Sequence, residues 1–368
     1  MPLRLLTGHL WTIAPRFRST SRPRGCQESR PWATVVDDPR AGPVRLTGRL
    51  REIPGSDEIL VLVHGIGGCI DSHYMPHGAA AAEAAGLSCL RLNLRGADRL
   101  GEDYGHAGLT TDVHAALASP ELAGYRRIYL FGYSMGGHVV LSTATEEIDS
   151  RVAAVAAVCA PMDLARSQVE IDSPAFWIYR KYLLPHLKNL YAAVARRRPV
   201  PFPVSRLDEI RTFLQFDDRI VAPRHGFAGA ADYYARMSVA PRLAGLRVPA
   251  LLLNSELDPI VPARSVRPAL KGASPRLRVA WLRRGGHVAF PRGLDVDAQV
   301  IAWLRSPHLR PLEPGEGAER GTTSSNTSPS VSPPLTAKSR VRVGNGMVMP
   351  SASKACLMRT MASLRATR

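Results

Sequence analysis

Short runs of apolar residues alternate along this chain with helix-length stretches. The run at residues 59–63 is continuously apolar, which is typical of a strand buried on both faces of a sheet. Six strands are predicted in this way, at residues 59–63, 88–94, 127–131, 152–159, 248–253 and 277–282. Helices are predicted at residues 78–85, 111–118, 136–147 and 291–304. The alternation predicts an α/β fold whose mostly parallel central sheet carries helices on both faces.

Residues 162–239 interrupt this alternation, because no strand pattern appears in them. The stretch 176–184 is aromatic and apolar, and an insertion of this length between two core strands predicts a helical cap over a site. The alternative is one more pair of packed helices. We predict one domain over residues 1–306 that includes this insertion. Residues 307–368, rich in Pro, Ser, Thr and basic residues, are predicted to be a disordered tail without chemistry.

The formal net charge of +17 raises the question of nucleic-acid binding. Most of the excess lies at the two ends of the chain, and no basic stripe is interleaved with aromatic residues, so no nucleic-acid partner is expected. The Arg-rich N-terminus imitates a transit peptide, but we expect a folded N-terminal arm. No apolar run reaches the roughly 18 residues of a membrane-spanning helix. A peripheral membrane contact and the oligomeric state are left open.

Five scattered cysteines, with no CxxC spacing, do not form a disulfide framework. We therefore expect free thiols and a cytoplasmic location.

The strongest chemical signal is Gly132-Tyr133-Ser134-Met135-Gly136. It follows a predicted strand and precedes a predicted helix, the strand–turn–helix context that exposes a nucleophilic serine on a sharp turn. The pattern alone is common, and the alternative is a Gly-rich turn without chemistry. The context favours Ser134 as a nucleophile.

A serine hydroxyl needs a base, and on this fold the order along the chain is serine, acid, histidine. Asp258 follows the strand at 248–253 and His287 follows the strand at 277–282, so both lie at carboxyl ends of strands. His287 is predicted to deprotonate Ser134, and Asp258 to orient His287. Glu256 and Asp163 remain alternatives for the acid, with Asp163 the stronger of the two.

An oxyanion hole is predicted from two backbone N–H groups, those of Met135 and Ile66. Ile66 lies in the Gly-rich loop 64–68 that follows the first predicted strand. Such a loop also occurs at phosphate sites, but neither GK[ST] nor GxGxxG is present. No cofactor and no metal are predicted.

These motifs resemble the YheT-like branch of the α/β hydrolases, which includes plant EMB-type proteins. The resemblance is carried by residues 8–15, 93–96, 132–137, 216–218, 222–227, 232–234 and 285–290. It implies carboxylic ester hydrolysis, with lipid-like acyl esters among the substrates. Ala97-Asp98 after Arg95-Gly96 departs from the pattern of the branch, which bears on the substrate and not on the triad.

The sequence therefore predicts a serine hydrolase that cleaves carboxylic esters with hydrophobic acyl groups through an acyl-enzyme at Ser134. Two alternatives are kept. One is an acyltransferase that uses the same residues but excludes water, and the other is a catalytically idle fold used for binding.

Overall fold

The computed structural model describes residues 3–14, 29–291 and 293–308. One sheet of eight strands lies at the centre, in the order β1-β2-β4-β3-β5-β6-β7-β8. The strands are β1 (Arg30–Asp38), β2 (Gly42–Arg51), β3 (Glu58–Val63), β4 (Ser88–Asn93), β5 (Arg127–Tyr133), β6 (Val152–Val158), β7 (Ala250–Ser255) and β8 (Leu277–Leu282). β1 pairs antiparallel with β2, and β2 pairs antiparallel with β4. The strands β3 to β8 are all parallel to one another.

Helices bury the sheet from both faces, which is why its central strands are almost continuously apolar. On one face pack α3 (Thr111–Leu117), α4 (Met135–Thr143) and α10 (Ala263–Val266). On the other pack α2 (Met75–Ala84) and α11 (Val296–Arg305). The predicted fold class is confirmed.

The six predicted strands are present with shifts of at most two residues at either end. The strands β1 and β2 were not predicted. β2 alternates buried and half-exposed residues, and its intervening arginines and glycines hide the pattern. The predicted helix at 136–147 ends at Thr143, and the one at 291–304 begins only at Val296.

Residues 162–239, here called the helical insertion, contain helices and no strand. Their α-helices are α5 (Leu164–Asp172), α6 (Trp177–Ala195), α7 (Phe213–Phe216), α8 (Ala222–His225) and α9 (Ala230–Met237). A π-helical turn, Asp217–Val221, joins α7 to α8. The insertion has an apolar core of its own, which also contacts Ile66 and Met135. Its helices therefore meet the predicted oxyanion residues directly.

At the N-terminal end, α1 (Leu3–Ile13) is helical. Within the described parts of the chain, no helix combines the length and the apolar character needed to cross a membrane. Cys69, Cys89 and Cys159 are free thiols. The predicted tail at 307–368 lies outside the described residues, apart from its first two.

Candidate active site

Ser134 occupies a strained turn between β5 and α4. Its φ of 54° lies in a region that non-glycine residues rarely adopt, and strain of this kind persists where the surroundings enforce it. Gly132 permits the turn, because a methyl group there would overlap the backbone of Gly136. The turn leaves the Ser134 hydroxyl at the carboxyl end of the parallel strands and at the N-terminus of α4, where partial positive charge favours a developing anion.

Ser134, His287 and Asp258 are joined in one chain of hydrogen bonds. His287 Nε2 lies 2.9 Å from Ser134 Oγ, and His287 Nδ1 lies 2.9 Å from Asp258 Oδ2. The other carboxylate oxygen of Asp258 accepts the N–H groups of Ile260 and Val261 at 2.8 and 2.9 Å. With the Asp258 carboxylate held in this way, Nδ1 of His287 carries the proton and Nε2 faces the serine as an acceptor.

The two alternative acids are engaged elsewhere. Asp163 accepts the N–H of Arg166 and so forms the N-terminal cap of α5, and it also forms an ion pair with the Arg166 side chain. Glu256 forms an ion pair with Arg267 in which both side chains are exposed. Of the three candidates, Asp258 alone forms a hydrogen bond to His287 within the described part of the chain.

The Gly-rich loop after β3 passes beside Ser134. His64 fixes this loop, because its Nδ1 donates to the carbonyl of Gly65 and its Nε2 accepts the N–H of Leu94. Burial lowers the pKa of His64 to about 4, so the ring stays neutral in this role. Gly65 donates its N–H to the hydroxyl of Tyr74, so the next residue, Ile66, is left as the loop's candidate oxyanion donor. Met135 supplies the first N–H of α4, which has no intrahelical acceptor.

Helix α1 contacts the loops that carry Asp258 and His287. Thr12 Oγ1 accepts the backbone N–H of His287 at 2.8 Å, and it donates to the carbonyl of Gly8. Gly8 lies so close to the carbonyl of Leu257 that no side chain would fit there. His9 Nδ1 lies 2.6 Å from the hydroxyl of Tyr179 in α6, so α1 also contacts the helical insertion. The sequence singled out this segment only by its resemblance; nothing in its pattern indicated these contacts.

A buried ionic cluster fixes the loop after β4. Arg95, whose side chain is fully buried, forms ion pairs with Asp112 at 2.7 Å, Asp103 at 3.1 Å and Asp38 at 2.5 Å. Arg224 of α8 also pairs with Asp103 and so connects the insertion to the same cluster. The guanidinium groups of Arg95 and Arg224 thus face three carboxylates, and Arg95 and Asp112 form part of one wall of the neighbouring cavity.

A cavity of about 80 Å³ lies between the sheet loops and the helical insertion, several times the ~10–15 Å³ that one water needs. Ile66 and Met135 form part of its wall, and apolar side chains including Leu187, Leu190 and Phe216 form much of the remainder. Among the described residues, His287 does not line it. The cavity therefore adjoins the site on the side of the oxyanion residues.

Cys159 follows β6 and lies beside the acid and the base. Within the described residues, Cys159, Asp258 and His287 are the one group of three donors close enough to share a metal ion. Asp258 and His287 are already bonded to each other. Burial, reinforced by the adjacent Asp258 carboxylate, raises the pKa of the Cys159 thiol well above its usual value. Thiolate is the form that binds metals, so this donor set favours a triad over a metal centre.

The sequence pattern of the alpha/beta hydrolase fold family matches residues 58–293, and the chain belongs to this family. The E. coli protein described as putative esterase YheT is 30% identical over 259 residues, which are 67% of this chain and 74% of that protein. The predicted YheT-like branch is therefore confirmed. Monoacylglycerol lipase ABHD2 of Danio rerio is 24% identical over 68% of this chain and 62% of its own length.

A solved structure of an esterase from Pyrococcus furiosus has the same fold, with a TM-score of 0.52. It is 15% identical in sequence and covers 78% of this chain and 95% of the esterase. Family and fold together make the chain an esterase-type α/β hydrolase.

Proposed function

We propose that the protein hydrolyses carboxylic esters with Ser134 as nucleophile, His287 as general base and acid, and Asp258 as the residue that orients His287. The observation that carries the proposal is the continuous hydrogen-bond chain from Ser134 through His287 to Asp258. An esterase-type fold with this chain at the carboxyl ends of its strands supports acyl transfer to the serine.

The reaction has two steps. His287 Nε2 takes the proton of Ser134 as Oγ bonds to the ester carbonyl carbon, and the carbonyl oxygen becomes an oxyanion. The N–H groups of Ile66 and Met135 stabilise that anion. The alcohol leaves with the proton from His287, and water then repeats the sequence to release the carboxylic acid and free Ser134.

The position of the cavity supports a hydrophobic acyl group. The leaving alcohol must lie at His287, because it takes its proton there. The cavity is walled by Ile66 and Met135 and not, among the described residues, by His287, so we assign it to the acyl chain. The helical insertion then serves as a cap over that chain, with α6 reaching the Gly-rich loop through His186 against Gly67.

The test is Ser134→Ala, assayed with esters of graded acyl length and with a fluorophosphonate probe. We expect hydrolysis to fall about 10⁴- to 10⁶-fold and labelling to disappear, with the melting temperature unchanged. Ser167→Ala removes a serine of α5 whose hydroxyl donates to the carbonyl of Asp163, and it should leave both readouts intact. Hydrolysis by Ser134→Ala at the wild-type rate would refute the assignment.

Acyl transfer to an alcohol uses the same residues. It would be favoured if Ser134 were labelled and ester turnover rose steeply when an alcohol acceptor was added. Hydrolysis in water alone favours the esterase.

A further inference from the structure

Within the part of the chain that the structure describes, three polar side chains of the acyl cavity keep hydrogen-bonding capacity that no neighbour uses. They are Asp217, His106 and Tyr233, and all three line the cavity. They belong to one neighbourhood, because the rings of His106 and Tyr233 lie 5.5 Å apart and Tyr233 adjoins Tyr234, which bonds to Asp217. We call them the polar cluster. A cavity for a purely hydrocarbon chain has no use for such groups, since burying them without partners costs free energy.

Asp217 is the centre of the cluster. Its Oδ2 accepts the hydroxyl of Tyr234 at 2.7 Å, and no partner for Oδ1 occurs among the described residues. The side chain is half-buried and forms part of the cavity wall. Asp217 begins the π-helical turn, a backbone form that is frequent at functional sites.

The other two members supply donors. The hydroxyl of Tyr233 accepts the N–H of Ala107 at 2.9 Å, which leaves its own proton available to an acceptor in the cavity. Nδ1 of His106 accepts the N–H of Gly108 at 3.2 Å, so Nε2 carries the ring proton as a second donor. Burial, together with the nearby His225 and Arg95, lowers the pKa of His106 well below its usual value and keeps this ring neutral.

We propose that the polar cluster binds a hydroxyl group on the acyl chain, so that the preferred substrates are esters of hydroxylated carboxylic acids. This inference rests on the proposed ester hydrolysis. A hydroxyl group donates its proton to Oδ1 of Asp217 and accepts one from Tyr233 or His106. Both halves of the cluster are then satisfied by one ligand atom and its proton.

Charged ligand groups fit less well. An ammonium group has no acceptor, so it would leave the proton donors of Tyr233 and His106 without a partner. A carboxylate would meet Asp217, whose pKa is raised to about 7 by burial and by the neighbouring Asp172. A neutral group that both donates and accepts is the ligand that these surroundings favour.

The test compares ethyl hexanoate with a series of ethyl hydroxyhexanoates in which the hydroxyl group moves one carbon at a time along the chain. Acid release is followed by pH-stat. We expect at least one hydroxylated ester to exceed the plain ester in kcat/KM by about 10- to 100-fold, the range of a hydrogen bond to a buried polar or charged group. In Asp217→Leu this ratio should fall close to one.

Asp218→Asn is the matched control. Asp218 is exposed, is the next residue along the chain, and accepts the N–H of Ala230 at 3.0 Å without lining the cavity. It should retain the wild-type ratio. A ratio near one in the wild type, or an unchanged ratio in Asp217→Leu, would overturn the proposal.

Binding to Ser134→Ala separates this inference from the proposed function. By calorimetry, at least one hydroxylated ester of the series should bind this variant about tenfold more tightly than ethyl hexanoate. If the wild type turns over neither ester but the variant shows this difference, the esterase assignment fails and the hydroxyl site stands. If plain esters are hydrolysed and the variant binds both esters equally, only the hydroxyl site fails. If Asp217→Leu does not fold, the calorimetric comparison in Ser134→Ala still tests whether the hydroxyl site exists.

Discussion

Replacing Thr12 by valine tests whether α1 positions the base. Valine has nearly the same shape but cannot accept the N–H of His287, which the threonine hydroxyl accepts at 2.8 Å. Thr12 is 4% exposed, so no bulk water replaces the lost acceptor. An unsatisfied buried N–H costs about 1–3 kcal/mol. The His287 loop can avoid this cost by shifting until the N–H meets another acceptor. The shift displaces His287 from Ser134, and we expect a loss of transition-state stabilisation of the same size.

Because each ~1.4 kcal/mol of activation free energy changes a rate about tenfold, this loss predicts a fall in kcat of about 5- to 150-fold. KM should change little, because the proton transfers of His287, from Ser134 and to the leaving alcohol, belong to the chemical steps and not to ground-state binding of the ester. The assay is steady-state hydrolysis of the best ester, with thermal unfolding measured in parallel.

Thr12→Ser is the matched control, since it keeps the hydroxyl and should retain most of the wild-type kcat. A wild-type kcat in Thr12→Val would refute the positioning role of α1. An equal loss in Thr12→Ser would assign the effect to the methyl group and its packing.

Three further predictions concern carboxylates and their partners. Asp258→Asn should lower kcat by about 10⁴-fold, whereas Asp163→Asn should leave kcat unchanged; steady-state assays of both variants decide which residue is the acid. Arg95→Met should lower the free energy of unfolding by about 3–5 kcal/mol in urea titrations, because it leaves buried carboxylates uncompensated. The pKa of Asp217 is raised by burial to about 7, so the unfolded chain releases this proton at lower pH than the folded one and wild-type stability declines between about pH 4 and pH 7. Asp217→Asn has no carboxyl group to titrate. Its free energy of unfolding minus that of the wild type should therefore rise by at most about 4 kcal/mol between about pH 4 and pH 7 and stay constant at higher pH.

The sequence was sufficient for the parallel part of the sheet because those strands are rich in apolar residues and alternate with helix-length stretches, with β3 almost continuously apolar. β2 was not predicted, because its apolar residues are interleaved with polar ones. Its buried Val44, Leu46 and Leu50 alternate with arginines and a threonine, Gly48 takes the remaining buried position, and only pairing with β4 shows which face is covered. Strand ends were displaced where a polar residue continued a strand, as Asn254 and Ser255 do in β7.

The candidate triad was accessible to the same reasoning because each member follows a recognisable strand. The roles of Thr12 and Asp217 were not, since they arise from contacts between distant parts of the chain. Thr12 reads as an ordinary helical residue until α1 is placed against the His287 loop. Asp217 reads as a solvated acid until the insertion folds it toward a cavity.

The hydrogen bond between Thr12 and His287 joins residues 275 positions apart, which gives the site an order of assembly. During synthesis α1 leaves the ribosome before the strands of the sheet, whereas the loops it contacts follow β7 and β8 and emerge much later. Contacts of such long sequence separation form late, because the intervening chain must be ordered before they contribute. The growing chain therefore carries Ser134 for the time needed to make about 150 further residues before the proposed base, His287, exists, a delay of roughly 8–30 s at ~5–20 residues per second. If His287 is that base, acyl transfer to Ser134 has to wait until α1 packs against the His287 loop.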